Sequence, residues 1–390
     1  MPLLTSFEPA DAQTAASMLA IAAADGISLV PEGNRTKLRA QTRPGGAAPI
    51  SSARLTSGLA HYAGDLVASA PAGATLHEVN AALARERQWI PLDPPHGERA
   101  TIGGLVACND SGPRRHRFGA PRDLIIGIEV ALTNGRVAHS GGRVVKNVAG
   151  YDLARLFCGS RGSLGLITSV TFKLAPVAPV SRTLLARFST VQRAADTAMT
   201  LSASAGLTPS ALEIAAPHPR LLIRFETTAL AAERMTQSAK AMLAPGADTI
   251  VECEGDAELK AWNAHASAAS GTSGLAAMIS VLPTMVAAAI EHIERLAGQH
   301  GLEWAVSGRA ALGVLRTDCA GDSTAQAGFA RALRAAVTAL GGTVQVLGID
   351  DGAAIGTELL GPVGSAAAVG FAVKRRFDPS GVLPYPWVRV

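Results

Sequence analysis

Hydrophobic and polar positions alternate differently in the two halves of the chain, and each half predicts its own kind of domain. Residues Asp11 to Ala24 carry apolar side chains throughout and stop at Gly26, which predicts a helix and its break. Ile27 to Val30 follows as a short strand running into Pro31-Glu32-Gly33-Asn34-Arg35-Thr36-Lys37, a turn by composition. Leu66 to Pro71 reads as the next strand, with Ala72-Gly73-Ala74 as its turn. Thr75 and Glu78 form a capping box that opens a helix burying Leu76, Val79 and Leu83. Pro91-Leu92-Asp93-Pro94-Pro95 is too rigid for helix or central strand. It leads to Thr101-Ile102-Gly103-Gly104, Asn109-Asp110-Ser111-Gly112 and Phe118-Gly119, expected as one irregular segment. Leu124 to Leu132 is a strand that turns over at Asn134-Gly135 into Arg136 to His139, a hairpin signal. Asp152 caps a short helix over Leu153 to Phe157, and Gly165 to Lys173 is the last strand before Pro176.

Beyond Pro176 the pattern becomes regular. Strands are expected at Arg182 to Phe188, Ala211 to Ala215, Leu221 to Phe225 and Thr249 to Val251, with helices at Thr190 to Ser204 and Thr228 to Leu243. After a helix at Asp256 to His265, the order repeats. Ala276 to Leu282, Glu303 to Ser307, Ala311 to Leu315 and Thr343 to Leu347 are strands, and Thr284 to Ala297 and Thr324 to Leu340 are helices. This is βαββαβ twice, a ferredoxin-like plan. Gly364 to Arg376 reads as a last helix. The first half lacks regular βαβ spacing and a G-x-G-x-x-G after a strand, which disfavours a Rossmann fold. The expected fold class is α+β, with domains at 1–178, 179–360 and 361–390.

Glycine this dense between apolar strands implies close backbone approach or positive φ. Exposed amides on such turns suit an anionic, extended ligand such as a dinucleotide pyrophosphate; ordinary tight turns are the alternative. The Pro31-to-Lys37 turn is a plausible phosphate cradle, although it lacks Walker A spacing.

Composition narrows the classes. With 390 residues, 48% hydrophobic and 17% charged, the chain has ample material for buried cores. It shows neither an uninterrupted apolar stretch of membrane length nor a secretory n-region, so it reads as cytoplasmic with no transmembrane segment. A net charge of +4 is small, and Arg114, Arg115 and Arg117 stand with little aromatic interleaving, which points to a local anion site and away from nucleic acid. Cys108, Cys158, Cys253 and Cys319 show no CxxC pair, so no metal site or iron–sulfur cluster is expected. The sequons at Asn34 and Asn109 fall inside the candidate ligand loops and read as accidental.

The Pro31-to-Thr36 loop, the capping-box helix, Asp93-Pro94-Pro95, Thr101-Ile102-Gly103-Gly104, Phe118-Gly119 and the run Gly159 to Thr168 together resemble the FAD-binding (PCMH-type) domain of the vanillyl-alcohol oxidase family. Ser111-Gly112-Pro113-Arg114-Arg115, Lys146-Asn147-Val148-Ala149-Gly150-Tyr151-Asp152-Leu153 and Phe157 narrow the resemblance to the FAD-binding E subunits of bacterial glycolate oxidases. The resemblance is specific over residues 26–178 and looser beyond. It implies FAD as cofactor, with Pro31, Glu32, Asp93 and Pro94 among its binding residues and the backbone amides of Gly33, Asn34, Arg35 and Thr36, with those around Thr101, Ile102, Gly103 and Gly104, holding the pyrophosphate. Asn109, Gly112, Phe118 and Gly119 would lie along the cofactor, and Gly165, Leu166, Ile167 and Thr168 beside the flavin or ribityl chain. Two departures stand out. Asn34 and Arg35 replace the glycines usual after Gly33, and Leu383-Pro384-Tyr385-Pro386-Trp387 replaces the family's Asn-Pro-Gly ending after Phe377-Asp378-Pro379-Ser380-Gly381-Val382. The phosphate loop has no histidine, so noncovalent FAD is expected.

Substrate chemistry has no comparable signal. His218, His265, His292 and His300 each read as surface or packing residues, and no catalytic residue is assigned. Three readings stay open. The first is a flavoprotein subunit of a glycolate (2-hydroxyacid) dehydrogenase, relaying electrons between a catalytic flavin subunit and an iron–sulfur subunit, cytoplasmic or peripheral to the inner membrane through that complex. The second is a self-sufficient FAD oxidase using Arg309 and Arg316 to bind a carboxylate. The third is a structural subunit with an empty flavin fold.

Overall fold

The structure, a computed structural model, describes residues 7–37, 46–142, 152–268, 274–350 and 367–384. The Lys146-to-Tyr151 part of the resemblance and the end of the chain from Tyr385 lie outside them. The chain divides into two compact units. One comprises Met1–Gly112, Phe118–Val177 and Val363–Val390, the other Pro113–Arg117 and Ala178–Pro362.

The first unit is built on a five-stranded antiparallel sheet in the order Ala60–Tyr62, Val67–Pro71, Leu166–Lys173, Ile125–Ala131, Val137–Gly141. Period-two alternation decides its faces: Val170 and Phe172 are fully buried, while Thr171 and Lys173 between and beside them are half-exposed. Against that face pack Leu76, Val79 and Leu83 from the helix Leu76–Leu83, capped by Thr75 and Glu78 as expected. Each such large apolar side chain contributes about 1.5–3 kcal/mol by leaving water. The hairpin forms at Asn134-Gly135, where Gly135 takes φ +80° and Asn134 Oδ1 accepts the Arg136 amide at 3.2 Å. A second cluster joins Leu19 of the helix Ala12–Ala24 to Leu29, Ile50, Val382 and Leu383. The strand Leu29–Glu32 belongs here and pairs in parallel with Ala48–Ser51.

The expected irregular segment is wrong in part. Ile102–Cys108 is a helix and Arg115–Phe118 a single helical turn. Thr101 supplies the N-cap, its hydroxyl accepting the Gly104 amide at 3.3 Å, and Ile102, Leu105 and Val106 are buried. Capping and burial here override the poor helix propensity of Gly103-Gly104.

The second unit is one eight-stranded antiparallel sheet. Its spatial order is Thr249–Cys253, Val180–Arg187, Arg220–Thr227, Ala211–Ala216, Glu303–Arg309, Val314–Ala320, Leu275–Ser280, Thr343–Gly348. Each half follows the ferredoxin-like order, and the halves join where Ala211–Ala216 pairs with Glu303–Arg309. The strand expected at Ala311 to Leu315 is displaced. Ala310–Leu312 is a 3₁₀ turn, Gly313 takes φ +65°, and the strand is Val314–Ala320. A side chain at Gly313 would lie 1.9 Å from the Val281 carbonyl oxygen, so only glycine fits where the chain turns before it pairs. No helix among the described residues is long and apolar enough to cross a membrane.

Candidate functional site

In the first unit the strand Leu29–Glu32 delivers the loop that begins at Gly33. A Cβ on Gly33 would lie 2.2 Å from Thr101 Oγ1, so only glycine lets the loop approach the start of the helix Ile102–Cys108. Asn34 Nδ2 donates to the Arg99 carbonyl at 3.0 Å. Arg35 adopts φ +57° and its Nε lies 3.4 Å from the buried Glu32 carboxylate, so the arginine that replaces a family glycine is held inside the loop. Lys37 closes the turn on the Pro95 carbonyl at 2.7 Å and on Asp110. The amides of Gly33, Asn34, Arg35 and Thr36 have no acceptor among the described residues. Successive open amides in such a turn form a concave donor set for an anion.

The glycines of the neighbouring helix behave differently. Ile102 donates to the Ala74 carbonyl at 2.9 Å, Gly103 to that of Ala72 at 2.8 Å, and Gly104 to the Thr101 hydroxyl. Gly103 sits so close that a Cβ would lie 2.9 Å from that of Ala72. These residues shape the wall, and the open donors belong to the Gly33-to-Thr36 loop. Thr168 reaches the same wall: its carbonyl accepts the Ala72 amide at 2.9 Å, and its hydroxyl donates to Glu129 at 2.6 Å. Leu166 and Ile167 are buried beside it, and Gly165 faces Val130 where a Cβ would be 2.6 Å from Cγ1.

The remaining candidates have other neighbours. Asn109 closes the helix at φ +48°, its Oδ1 accepting the Arg122 amide at 3.2 Å and the Cys158 thiol at 3.3 Å. Burial pushes that thiol up to about 12, so it stays protonated. Gly112 lies against Asp93, where a Cβ would be 1.7 Å from the carbonyl oxygen, and Pro94 is buried next to it. Phe118 meets Trp89 edge-on at 6.0 Å, and Asp123 holds the Gly119 turn by accepting the Ala120 amide at 2.9 Å.

In the second unit the structure gathers charged groups that sequence spacing did not reveal. His265 Nε2 and Glu213 Oε2 lie 3.1 Å apart, both buried, and Arg309 Nε lies 3.5 Å from Glu213 Oε1. Arg224 donates to Glu258 at 2.9 Å and stacks 4.1 Å from the centre of the Trp262 ring, while Thr183 and Ser181 donate to the same carboxylate oxygen. Arg316 pairs with Asp318 at 3.1 Å. The Arg114 guanidinium grips Glu226 through Nε at 2.9 Å and through a second nitrogen at 2.7 Å. Arg117 donates to the Glu226 carbonyl at 3.0 Å. The expected anion site at Arg114 is thus answered by a carboxylate of the chain itself. Apart from Arg316 and Asp318, two residues apart on one strand, these partners lie far apart in sequence and meet through the fold. Of the other histidines, His218 is exposed, His292 Nδ1 lies 3.0 Å from Arg295, and His300 packs edge-on to Phe329. Among the described residues no three His, Cys, Asp or Glu are grouped to hold a metal ion.

Residues 5–141 match the family described as FAD binding domain. The chain is 33% identical over 216 residues to the glycolate oxidase subunit GlcD of Bacillus subtilis, covering 55% of this chain and 46% of that protein. It is 46% identical over 113 residues to the glycolate oxidase subunit GlcE of Escherichia coli, covering 29% of this chain and 32% of that one. A mitochondrial D-lactate dehydrogenase [cytochrome] of Arabidopsis thaliana is 35% identical over 189 residues, 48% of this chain and 33% of the relative. The matches thus span less than half the length of each of these relatives. Among solved structures, an alkyldihydroxyacetonephosphate synthase superposes with a TM-score of 0.74 at 14% identity, over 99% of this chain and 77% of that one, a likeness of fold. An FAD pyrophosphate fits the open amides of the Gly33-to-Thr36 loop and the glycine-only approach beside them. The chain carries an FAD-binding domain of the PCMH type, and over the matched residues it is similar to the glycolate oxidase subunits.

Proposed function

We propose that this chain is an FAD-binding subunit of a glycolate (2-hydroxyacid) oxidase complex, with noncovalent FAD and a place between a catalytic flavin subunit and an iron–sulfur subunit. The observation that carries the reading is the row of open amides from Gly33 to Thr36, backed by a wall that excludes side chains. Bound FAD supplies a two-electron carrier for oxidation of the hydroxyl carbon. The chain's own residues bind and orient: the loop amides take the pyrophosphate, Thr101 and Gly103 set the distance of the wall, and Thr168 with Glu129 fixes the strand beside it. The self-sufficient oxidase is the weaker reading, because Arg309 and Arg316, its candidate substrate clamps, are answered by Glu213 and Asp318. A guanidinium already paired with a carboxylate gains less from a second one. No histidine stands in Pro31–Lys37, which supports a noncovalent cofactor.

The test is purification of the chain alone and co-expressed with its neighbouring flavin and iron–sulfur subunits. The expected result is a yellow isolated chain that releases all its colour on acid precipitation and does not oxidise glycolate or D-lactate. Dye-linked glycolate oxidation then comes only with the co-purified complex. Full glycolate activity of the isolated chain would install the self-sufficient oxidase. A colourless chain would leave the empty fold, and flavin on the acid pellet would refute the noncovalent link.

A further inference from the structure

The helix Ala367–Phe377 carries a buried charge pair that neither the core nor the amide loop accounts for. Lys374 Nζ donates to the Ser163 carbonyl at 2.7 Å, to the Leu383 carbonyl and to the Asp378 carboxylate, so all three ammonium protons have acceptors. Asp378 is fully enclosed and also accepts the amides of Val382 at 3.0 Å and Leu383 at 2.8 Å. The Lys374 side chain is 12% exposed.

The ends of this network are what give it meaning. Ser163 lies in the run Gly159 to Thr168, and the Val382 carbonyl accepts the amide of Leu29, where the strand that delivers the Gly33 loop begins. Those two pieces also touch directly: at Gly162, with φ +78°, a Cβ would lie 2.8 Å from Pro31 Cγ. One lysine–aspartate pair therefore ties together two segments of the candidate cofactor cradle that are more than a hundred residues apart in sequence. The helix has an apolar anchor besides, Phe377 on Phe157 at 5.2 Å, with the Phe377 carbonyl accepting the Thr133 hydroxyl at 3.2 Å. Apolar residues would attach a helix at less desolvation cost, so a buried ion pair here is better explained by the geometry it fixes than by stability.

We propose that Lys374 and Asp378 are positioning residues for the cofactor, setting the spacing between the strand Leu29–Glu32 and the Ser160-to-Gly165 turn. The proposal rests on the FAD reading for its consequence and on the geometry alone for its mechanism.

Its test uses the full chain and the variants K374M, K374R, K374M/D378N and F377A. Hydrogen exchange without FAD reads the geometry. K374M and the charge-balanced double variant should speed exchange by about tenfold both at Leu29–Glu32 and at Ser160–Gly165, a coupling of ordinary size. Exchange confined to residues beyond Ala367 would overturn the proposal even in a chain that takes up no flavin. With FAD, K374M should weaken binding about tenfold and change the visible circular dichroism of the bound flavin, with K374R recovering part of both. F377A should lower thermal stability while leaving the flavin spectrum unchanged. An unaltered spectrum and affinity in K374M, or an equal loss of both in F377A, would reduce the pair to a structural contact. An absence of FAD uptake by the parent chain refutes the FAD reading, and the exchange experiment still decides this one.

Discussion

At the scale of single residues, the decisive contact is Gly33 against Thr101. A Cβ there would sit 2.2 Å from Oγ1, whereas at Gly104 the same atom would be 3.0 Å from it. Gly33→Ala must therefore move either the loop or the threonine that caps the helix Ile102–Cys108, and losing that cap alone costs about 1 kcal/mol. The expected outcome is at least about a tenfold loss of FAD affinity in a fluorescence titration, equivalent to about 1.4 kcal/mol. Thr101→Ala in the same background removes the colliding hydroxyl and should recover part of it. His77→Ala is the control: the side chain is exposed on the first turn of its helix, and affinity and stability should stay within about 0.5 kcal/mol of the parent. Equal flavin content in Gly33→Ala and His77→Ala would contradict the placement of the cradle. Gly33 was legible in the sequence as a turn glycine. Its partner was not, because Thr101 lies 68 residues on and nothing local announces the encounter.

Between elements, the second unit pairs several charges on its sheet with opposite ones, among them Arg224 with Glu258, Arg309 with Glu213 and Arg114 with Glu226. Burial raises the Glu226 carboxyl, but the Arg114 hydrogen bonds and charge outweigh it and leave it below its ordinary value. A carboxyl depressed in the folded state contributes stability that is complete above the unfolded value and lost as pH falls through the folded one. Arg114→Met should therefore destabilise the protein by about 2 kcal/mol at pH 7. That is less than for a fully buried pair, because the two side chains keep 20% and 11% of their exposure. In urea melts the gap between parent and variant should narrow as pH falls below about 4.5. A gap that stays constant down to pH 3 would show that packing of the arginine, and not its charge, supplied the stability. The sequence presents Arg114, Arg115 and Arg117 as one cluster, a local anion site. Arg114 and Arg117 instead meet Glu226, which lies 112 residues from Arg114 and reaches it through the tertiary fold.

For the molecule as a whole, two units with separate cores imply separable responses to cofactor. FAD at a hundredfold excess over its dissociation constant stabilises whatever binds it by about 2.7 kcal/mol. For a unit of this size that is a shift of roughly 5–10 °C in melting temperature. Calorimetry should show one transition moving up by that amount with FAD while another stays where it was. Two transitions moving equally would place the cofactor's contacts on both units, beyond the cradle described here.

The sequence alone determined what depends on neighbours in the chain. The capping box at Thr75–Glu78, the Asn134-Gly135 hairpin, the Asp152 cap and the repeated βαββαβ pattern all rest on interactions spanning a few residues or on a periodicity that backbone geometry imposes. Tertiary structure decided what depends on encounters. It drew Thr101-Ile102-Gly103-Gly104 into a helix by giving its first amides the carbonyls of Ala74 and Ala72, and it set the turn at Gly313 against the Val281 carbonyl, where no side chain fits. It paired Arg309 with Glu213 and brought Lys374 to the Ser163 carbonyl. Hydrophobic period fixes which way a residue points, but a buried charge needs a particular partner, and only the folded chain brings that partner within reach.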